Sequence, residues 1–558
     1  MRKRQEGGIE ERHREKTGTA ETERQGMKPT DERPHAHTEY AEQRLVIIPR
    51  LPRILAAAAF LCGTAAWMRF LDLELVLSHY DAKAHLVVAR RVIDSITPGW
   101  QQIGAVWLPL PHLIQILPVQ VDVFYRTGAF ASLVSIASFT LMVWAAVRLV
   151  LTMTGSVAGA VTAAVLLIAN PNLLYLQSTP MTEALTLALA FLVVLWLYEW
   201  VVAVNPASAS APAATADKKA GLHVPARLAA AMFAAAWTRY EAWLILSAAL
   251  TLTGLALIRS GIGLRRTAAL IARLAAWPAL AVLLFALNSR ITTGQWLVTG
   301  GFFEVDPTYY GLPLKSVIAV WWGTHRLSGY VLEIVAIGTA LWLIARAASR
   351  PTATPAVIPL ALAAAALLPF YAFVEGHPFR IRYMVALSAA CALGGGLAVA
   401  QFHQRRVALT LAAGLLTASV VESPPWSLQA PMLEEAQWDV PRTIERRRVT
   451  DCLRGGYGGE KILASMGSLA HYMQELSRDG FDIADFIHEG NGAIWELALA
   501  TRPAAHAGWM IAEEQSEGGD ILARRMREDV AFAEGMTRVC AGGGVALYRA
   551  SDRTALRR

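Results

Sequence analysis

Apolar stretches of membrane-spanning length recur along this chain, and they decide what it can fold into. A run of about 20 apolar residues crosses a bilayer as one helix, because hydrocarbon offers the backbone no other hydrogen-bond partners. Such runs lie at Ile54–Leu71, Ala129–Val150, Val157–Leu174, Glu183–Val204, Ala268–Leu287, Tyr330–Ala345, Ala356–Val374, Tyr383–Gln401 and Val407–Val421. Leu228–Ile258 is too long for one crossing and is broken by Arg239, Tyr240 and Glu241. Two helices meeting at that triplet are expected there, the first of them short. With about eleven spans and 54% hydrophobic residues over 558 positions, the chain reads as a multispanning α-helical membrane protein, not a soluble enzyme.

Charge assigns the sides. With the amino terminus inside, every inner turn carries basic residues: Arg50 and Arg53, Arg148, Lys218 with Lys219 and Arg227, Arg259 with Arg265 and Arg266, Arg346 with Arg350, and Arg405 with Arg406. This is the positive-inside pattern. It accounts for the net charge of +7 without a nucleic-acid partner. The outer side then receives the loop 72–118, the turn Asn170–Thr182, the long loop Asn288–Gly329, Glu375–Arg382 and everything after Glu422.

Three regions follow. Residues 1–45 are polar, with no signal-peptide core, and are expected to be a disordered cytoplasmic tail. Residues 46–421 hold the spans, together with an amphipathic first outer loop at 72–118 that mixes charges with Trp100 and Trp107. The linker Asn205–Arg227 is rich in Ala, Ser and Pro and reads as flexible. Residues 422–558 are less apolar and are expected to form a soluble extracytoplasmic α/β domain. Its strands fall at Lys461–Met466, His506–Ala512 and Val545–Tyr548, and its helices at Tyr472–Leu476, Ala493–Ala500 and Ile521–Val530. Cys452 and Cys540 would share an oxidising compartment there, and a disulfide and a pair of buried thiols both fit.

Ionisable groups near membrane depth are costly, so those retained call for a reason. Asp81 and His85 open the first outer loop, four residues apart and on one face of a helix. Glu183 starts a helix from the outer side, Arg239, Tyr240 and Glu241 break another, and His377, Arg380 and Arg382 precede a late one. Glu304, Asp306, Tyr309 and Tyr310 lie in the long outer loop. Carboxylates, arginines and aromatics from distant segments thus gather in one leaflet. Group transfer from a lipid phosphate needs a base for the acceptor hydroxyl and cations for the leaving phosphate. Phosphate leaves without an acid, unlike the alcohol in glycoside hydrolysis. One Asp as base and an arginine pair offering bidentate contacts meet those needs. Each group also has a structural role open to it: Arg239 and Glu241 as an ion pair across the helix break, Glu183 as a helix cap, His85 as a spacer, and Arg380 and Arg382 as headgroup contacts.

The pattern resembles the GT-C superfamily of polyprenyl-phosphate-sugar-dependent glycosyltransferases, in the branch of protein O-mannosyltransferases and aminoarabinose transferases. The likeness covers roughly Ile54–Gln401 and rests on Asp81 in HYDAKAH, Pro180–Glu183, Arg239–Glu241 and Arg382–Tyr383. It implies a GT-C-like fold and inverting transfer from a polyprenyl-phosphate sugar at the outer face of a bacterial inner membrane. By that resemblance Asp81 would be the base. By their own chemistry Arg380, Arg382 and Arg239 are expected to hold the donor phosphate, and His85, Glu183, Tyr240, Glu241 and His377 to support them. Glu304, Asp306, Tyr309 and Tyr310 are expected to form a loop for acceptor or donor. The acceptor hydroxyl would belong to a glycan, a lipid or a protein. Many relatives carry paired acids in the first loop, whereas Ala82 follows Asp81 here, so no obligatory metal is expected. The alternative is a transporter or flippase of a lipid-linked or anionic substrate. Against it, no internal repeat stands out and the polar residues cluster on one side.

Overall fold

Apolar runs become helices wherever backbone groups must be satisfied within the segment, and the computed structural model places helices at all of these positions. It describes residues 50–204, 224–298, 305–515 and 519–551. The 1–45 tail, most of the 205–227 linker and Glu304 lie outside the described residues. In chain order the helices are α1 Leu51–Asp72, α2 Tyr80–Arg90, α3 Ala129–Thr154, α4 Val157–Ala169, α5 Glu183–Val204, α6 Ala226–Ala236, α7 Tyr240–Arg259 and α8 Leu264–Thr293. They continue with α9 Pro313–Ser328, α10 Tyr330–Ser349, α11 Pro351–Val374, α12 Ile381–Ala400 and α13 Arg405–Glu422.

Among the described residues, eight of these helices (α1, α3, α5, α7, α8, α10, α11 and α12) are long and apolar enough to cross a membrane. The chain is an integral membrane protein. The other three of the expected eleven are α4 and α6, with 13 and 11 residues, and α13, which carries Arg405, Arg406 and Glu422 at its ends. Outward-facing apolar side chains on α8 and α10, among them Leu283, Ile334 and Leu341, suit contact with lipid tails.

Helices in lipid associate through close packing of small residues. Gly394, Gly395 and Gly396 on α12 serve this purpose. A Cβ on Gly396 would lie 2.5 Å from the Cβ of Ala163, and one on Gly159 would lie 2.5 Å from the Gly396 carbonyl oxygen. The α6–α7 break falls at the charged triplet, as the sequence predicts. Its freed backbone groups are satisfied: Trp243 Nε1 donates to Ala236 O at 2.8 Å, and Leu110 N donates to Trp237 O at 2.9 Å.

The carboxyl-terminal portion adds α14 Pro431–Gln437, α15 Val440–Gly456 and α16 Met466–Leu476 to a five-stranded sheet. The strands are β1 Ile462–Ala464, β2 Phe486–Ile487, β3 Trp509–Glu513, β4 Met536–Gly542 and β5 Val545–Ala550, in the order β2-β1-β3-β5-β4. β1 pairs in parallel with β2 and β3, and β5 pairs antiparallel with β3 and β4. The three strands read from the sequence are β1, β3 and β5. β2 is two residues long and β4 is a half-exposed edge, so neither offers an apolar run. Cys452 on α15 and Cys540 on β4 form a disulfide that closes 88 residues of chain.

This portion caps the loop 72–118. α2 is buried along nearly its whole length, not laid out as a surface helix. Lys83 pairs with Glu475, and Arg90 meets Asp94 and Asp122 at 2.8 Å each and Asp482 at 3.4 Å. Asp94 accepts the backbone N–H groups of Ile483 and Ala484, and Gln474 donates to Tyr125 O at 2.9 Å. One hydrophobic core therefore runs from α1 through α2 to β5.

Because the disulfide ties α15 to the sheet edge, replacing Cys452 and Cys540 together by Ser should destabilise this portion by about 2–4 kcal/mol. Pulse proteolysis in urea would read this as cleavage after Gly456 at a lower denaturant concentration. Unchanged cleavage midpoints would show that the bond constrains nothing.

Candidate active site

The site begins with the cap of α2. His79 accepts the Asp81 backbone N–H on Nδ1 at 3.1 Å, which fixes the first turn and presents the Asp81 carboxylate. Arg382, at the start of α12, forms an ion pair with that carboxylate, and both side chains are more than nine-tenths buried. The Arg382 guanidinium lies 5.9 Å from the Tyr80 ring and 5.5 Å from the Tyr383 ring, a cation–π setting on two sides. Burial alone would push the Asp81 carboxyl up. Arg382, with Arg380 farther off, outweighs that and holds it down at about 2.

A fourth group arrives from the carboxyl-terminal portion. Glu435 on α14 accepts the Ile381 backbone N–H at 2.5 Å through Oε2, and its Oε1 lies 3.6 Å from His79 Nε2. His79 Nε2 also lies 3.2 Å from Arg382 Nη1, so this one ring joins the cap of α2, the guanidinium and Glu435. Just beyond α14, Trp438 packs edge-on against Tyr80 at 5.8 Å, and His471 does so at 6.2 Å. The carboxyl-terminal portion thus closes over the Asp81–Arg382 pair.

Beside it lies a second charged group. Arg239 contacts Glu241 at 2.7 Å, Glu183 at 3.0 Å and the Thr182 hydroxyl at 3.0 Å. One guanidinium bridges two buried carboxylates across the helix break, so its N–H donors are already engaged. The turn carrying Thr182 is itself held by α3: Ser132 and Ser135 donate to the carbonyls of Ser178 and Thr179. Tyr240 donates to Val106 O at 2.8 Å and pins the loop 72–118 onto the break.

The remaining sequence candidates spread around this centre. His85 shares a face with Asp81, but its bond goes to His112, with 3.0 Å between His85 Nδ1 and His112 Nε2. His377 contacts the Tyr383 hydroxyl at 3.2 Å. Arg380 stands close enough to act electrostatically on Asp81, Tyr80 and His377. In the long loop, the Asp306 backbone N–H donates to Gly376 O at 2.8 Å, and the Tyr309 ring packs 5.6 Å from Phe373. Asp306 and Tyr309 therefore brace the turn that bears His377 and Arg380, and Tyr310 is exposed at its rim. None of the three reaches the Asp81–Arg382 pair.

His79, His112 and Glu435 escaped the sequence reading. His79 sits in LSHYD, two residues from Asp81, where a capping histidine was legible as a helix start. Glu435 lies 354 residues from Asp81 in sequence, in a polar run with no local signal. Among the described residues no group of three or more His, Cys, Asp or Glu side chains is arranged to hold a metal ion. As a chemical unit, the centre offers a buried carboxylate paired with a guanidinium, and that cation has an equally good partner in any phosphate oxygen.

No protein-family model matches the sequence, and none of the curated proteins compared with it matches. In three dimensions the chain is similar to the crystal structure of ArnT from Cupriavidus metallidurans bound to undecaprenyl phosphate. The TM-score is 0.53 at 12% sequence identity, over 90% of this chain and 98% of that one. At that identity the likeness is one of fold alone: the chain has an ArnT-like fold.

Proposed function

We propose that this protein transfers a glycosyl group from a polyprenyl-phosphate-linked sugar to an acceptor hydroxyl at the outer face of a bacterial inner membrane, with inversion. The observation that carries the reading is the buried Asp81–Arg382 pair, set beneath a carboxyl-terminal cap in a fold like that of ArnT. The basic inner turns support an inside amino terminus, and the Cys452–Cys540 disulfide supports an oxidising outer compartment for the carboxyl-terminal portion.

In this mechanism the donor phosphate draws Arg382 from Asp81, with Arg380 beside it. The acceptor oxygen bonds to the anomeric carbon as the bond from that carbon to the phosphate oxygen breaks. Asp81 takes the hydroxyl proton, and polyprenyl phosphate leaves with the bond's electron pair. Arg239 holds Glu183 and Glu241 in place at the wall of the site and serves as a positioning residue. The arginines supply the positive charge that the leaving group needs, so EDTA should leave turnover unchanged.

Sugar release from radiolabelled polyprenyl-phosphate sugars by purified protein in liposomes tests the class. Wild type should consume at least one donor, and Asp81→Asn should lower that rate by about 10²–10⁴-fold. Equal consumption by both would remove Asp81 from the chemistry. Donor binding with no turnover would favour the flippase alternative.

Arg382→Met tests the pairing through pH. In wild type, Asp81 is held at about 2, so kcat/KM should show no acid limb between pH 4 and 7. Without Arg382 the effect of burial, which raises the carboxyl, loses its largest opponent. The variant's acid limb should appear above pH 4, alongside an overall loss of about 10²–10³-fold from the missing phosphate contact. A lowered rate with a flat acid side would show that Arg382 does not govern Asp81.

A further inference from the structure

A small polar pocket lies one helical turn along α2 from Asp81. His85, His112, Gln115, Ser135 and Thr182 give it its polar lining, and it has room for one water-sized group. Its hydrogen-bond polarity follows from the backbone. His112 Nδ1 lies 3.2 Å from the Leu108 carbonyl oxygen, and a carbonyl only accepts, so Nδ1 carries the proton. The His112 Nε2 lone pair then faces His85 Nδ1 at 3.0 Å, which makes His85 the donor. Burial disfavours charge on both rings, pushing His85 well below its usual range and His112 to about 3. Trp107 packs against His85 at 4.2 Å and His112 at 5.9 Å and fixes the two rings.

The chain of donors ends at His85 Nε2, a lone pair bonded to no described residue. Gln115, only 8% exposed, has a buried Oε1 that also lacks a partner. Ser135 spends its proton on Thr179 O. His85 and Gln115 both line this one small space, and leaving a buried acceptor such as Gln115 Oε1 unmatched is costly. The space accepts a group that brings hydrogens.

We infer that this pocket is a specificity subsite that takes one hydroxyl of the transferred sugar, the O–H donating to His85 Nε2 or Gln115 Oε1. The inference rests on the glycosyl-transfer reading. Residues four apart on a helix have Cβ atoms roughly 5–6 Å apart, so His85 stands within about the span of one sugar ring from Asp81. Thr182, which also bonds Arg239, ties the pocket wall to the charged centre. His112 acts through His85 and is a positioning residue.

The test uses full-length protein in liposomes with decaprenyl phosphate carrying mannose, glucose, galactose or arabinose, then each monodeoxy derivative of the donor consumed fastest. One monodeoxy donor should lose at least about 10²-fold in kcat/KM, since sites built to bind a hydroxyl reject its absence by up to about 10⁴–10⁵. Gln115→Leu should slow the parent donor and shrink that ratio, because leucine leaves no lone pair unmatched. Equal rates for every monodeoxy donor would mean that the pocket holds only water and would overturn the subsite while transfer stands. If no donor is consumed, the transfer reading falls and the subsite with it.

Discussion

The arrangement depends on a buried ion pair. Withdrawing Arg382 and Asp81 from water costs several kcal/mol for each ion, and their attraction offsets this only where the remaining hydrogen-bonding capacity is met. Much of the surrounding structure does that work. His79 caps α2 and so orients the carboxylate, while Tyr80 and Tyr383 present ring faces to the guanidinium. Glu435 anchors the backbone at Ile381, one residue before Arg382. Arg239 repeats the logic beside them, with one cation stabilising two buried carboxylates that would otherwise repel each other. A centre so arranged holds its charges by mutual constraint, and removing any one partner leaves another unpaired.

That constraint explains why the carboxyl-terminal portion belongs to the site. Its contacts run into the loop 72–118, with which it shares one hydrophobic core. Lys83, Arg90 and Asp94 on or just after α2 each bond to residues between 475 and 484. These interactions fix α2 from the side opposite the spans. Glu435 and Trp438 then exclude water from the Asp81–Arg382 pair, which strengthens every electrostatic contact inside.

Much of this was legible in the sequence, for physical reasons that differ by feature. The helix break at Arg239–Glu241 could be read because three polar residues inside a long apolar run cannot continue a span. The shared face of Asp81 and His85 followed from helical spacing. What spacing could not supply was partnership. Asp81 bonds to a residue 301 positions away and His85 to one 27 away, while Glu435 reaches the site only through the docking of α14. The edge strands β2 and β4 were invisible because one is too short to show a pattern and the other is not buried. α4, α6 and α13 were read as spans on composition, and they are helices whose length or terminal charges set them apart from the eight long ones.

The proposed transfer draws one further consequence from the ion pair. Arg382 cannot fully neutralise Asp81 and a donor phosphate at once, so the two anions compete for one guanidinium. Paired with Arg382, Asp81 is a weak base, poorly suited to activate a hydroxyl. A phosphate that engages Arg382 adds negative charge nearby and withdraws the cation, and both effects raise the carboxylate's proton affinity. The base gains strength only when a donor is present. Without a donor the carboxylate stays paired and weakly basic, so the ion pair ties the strength of the base to the donor's own phosphate.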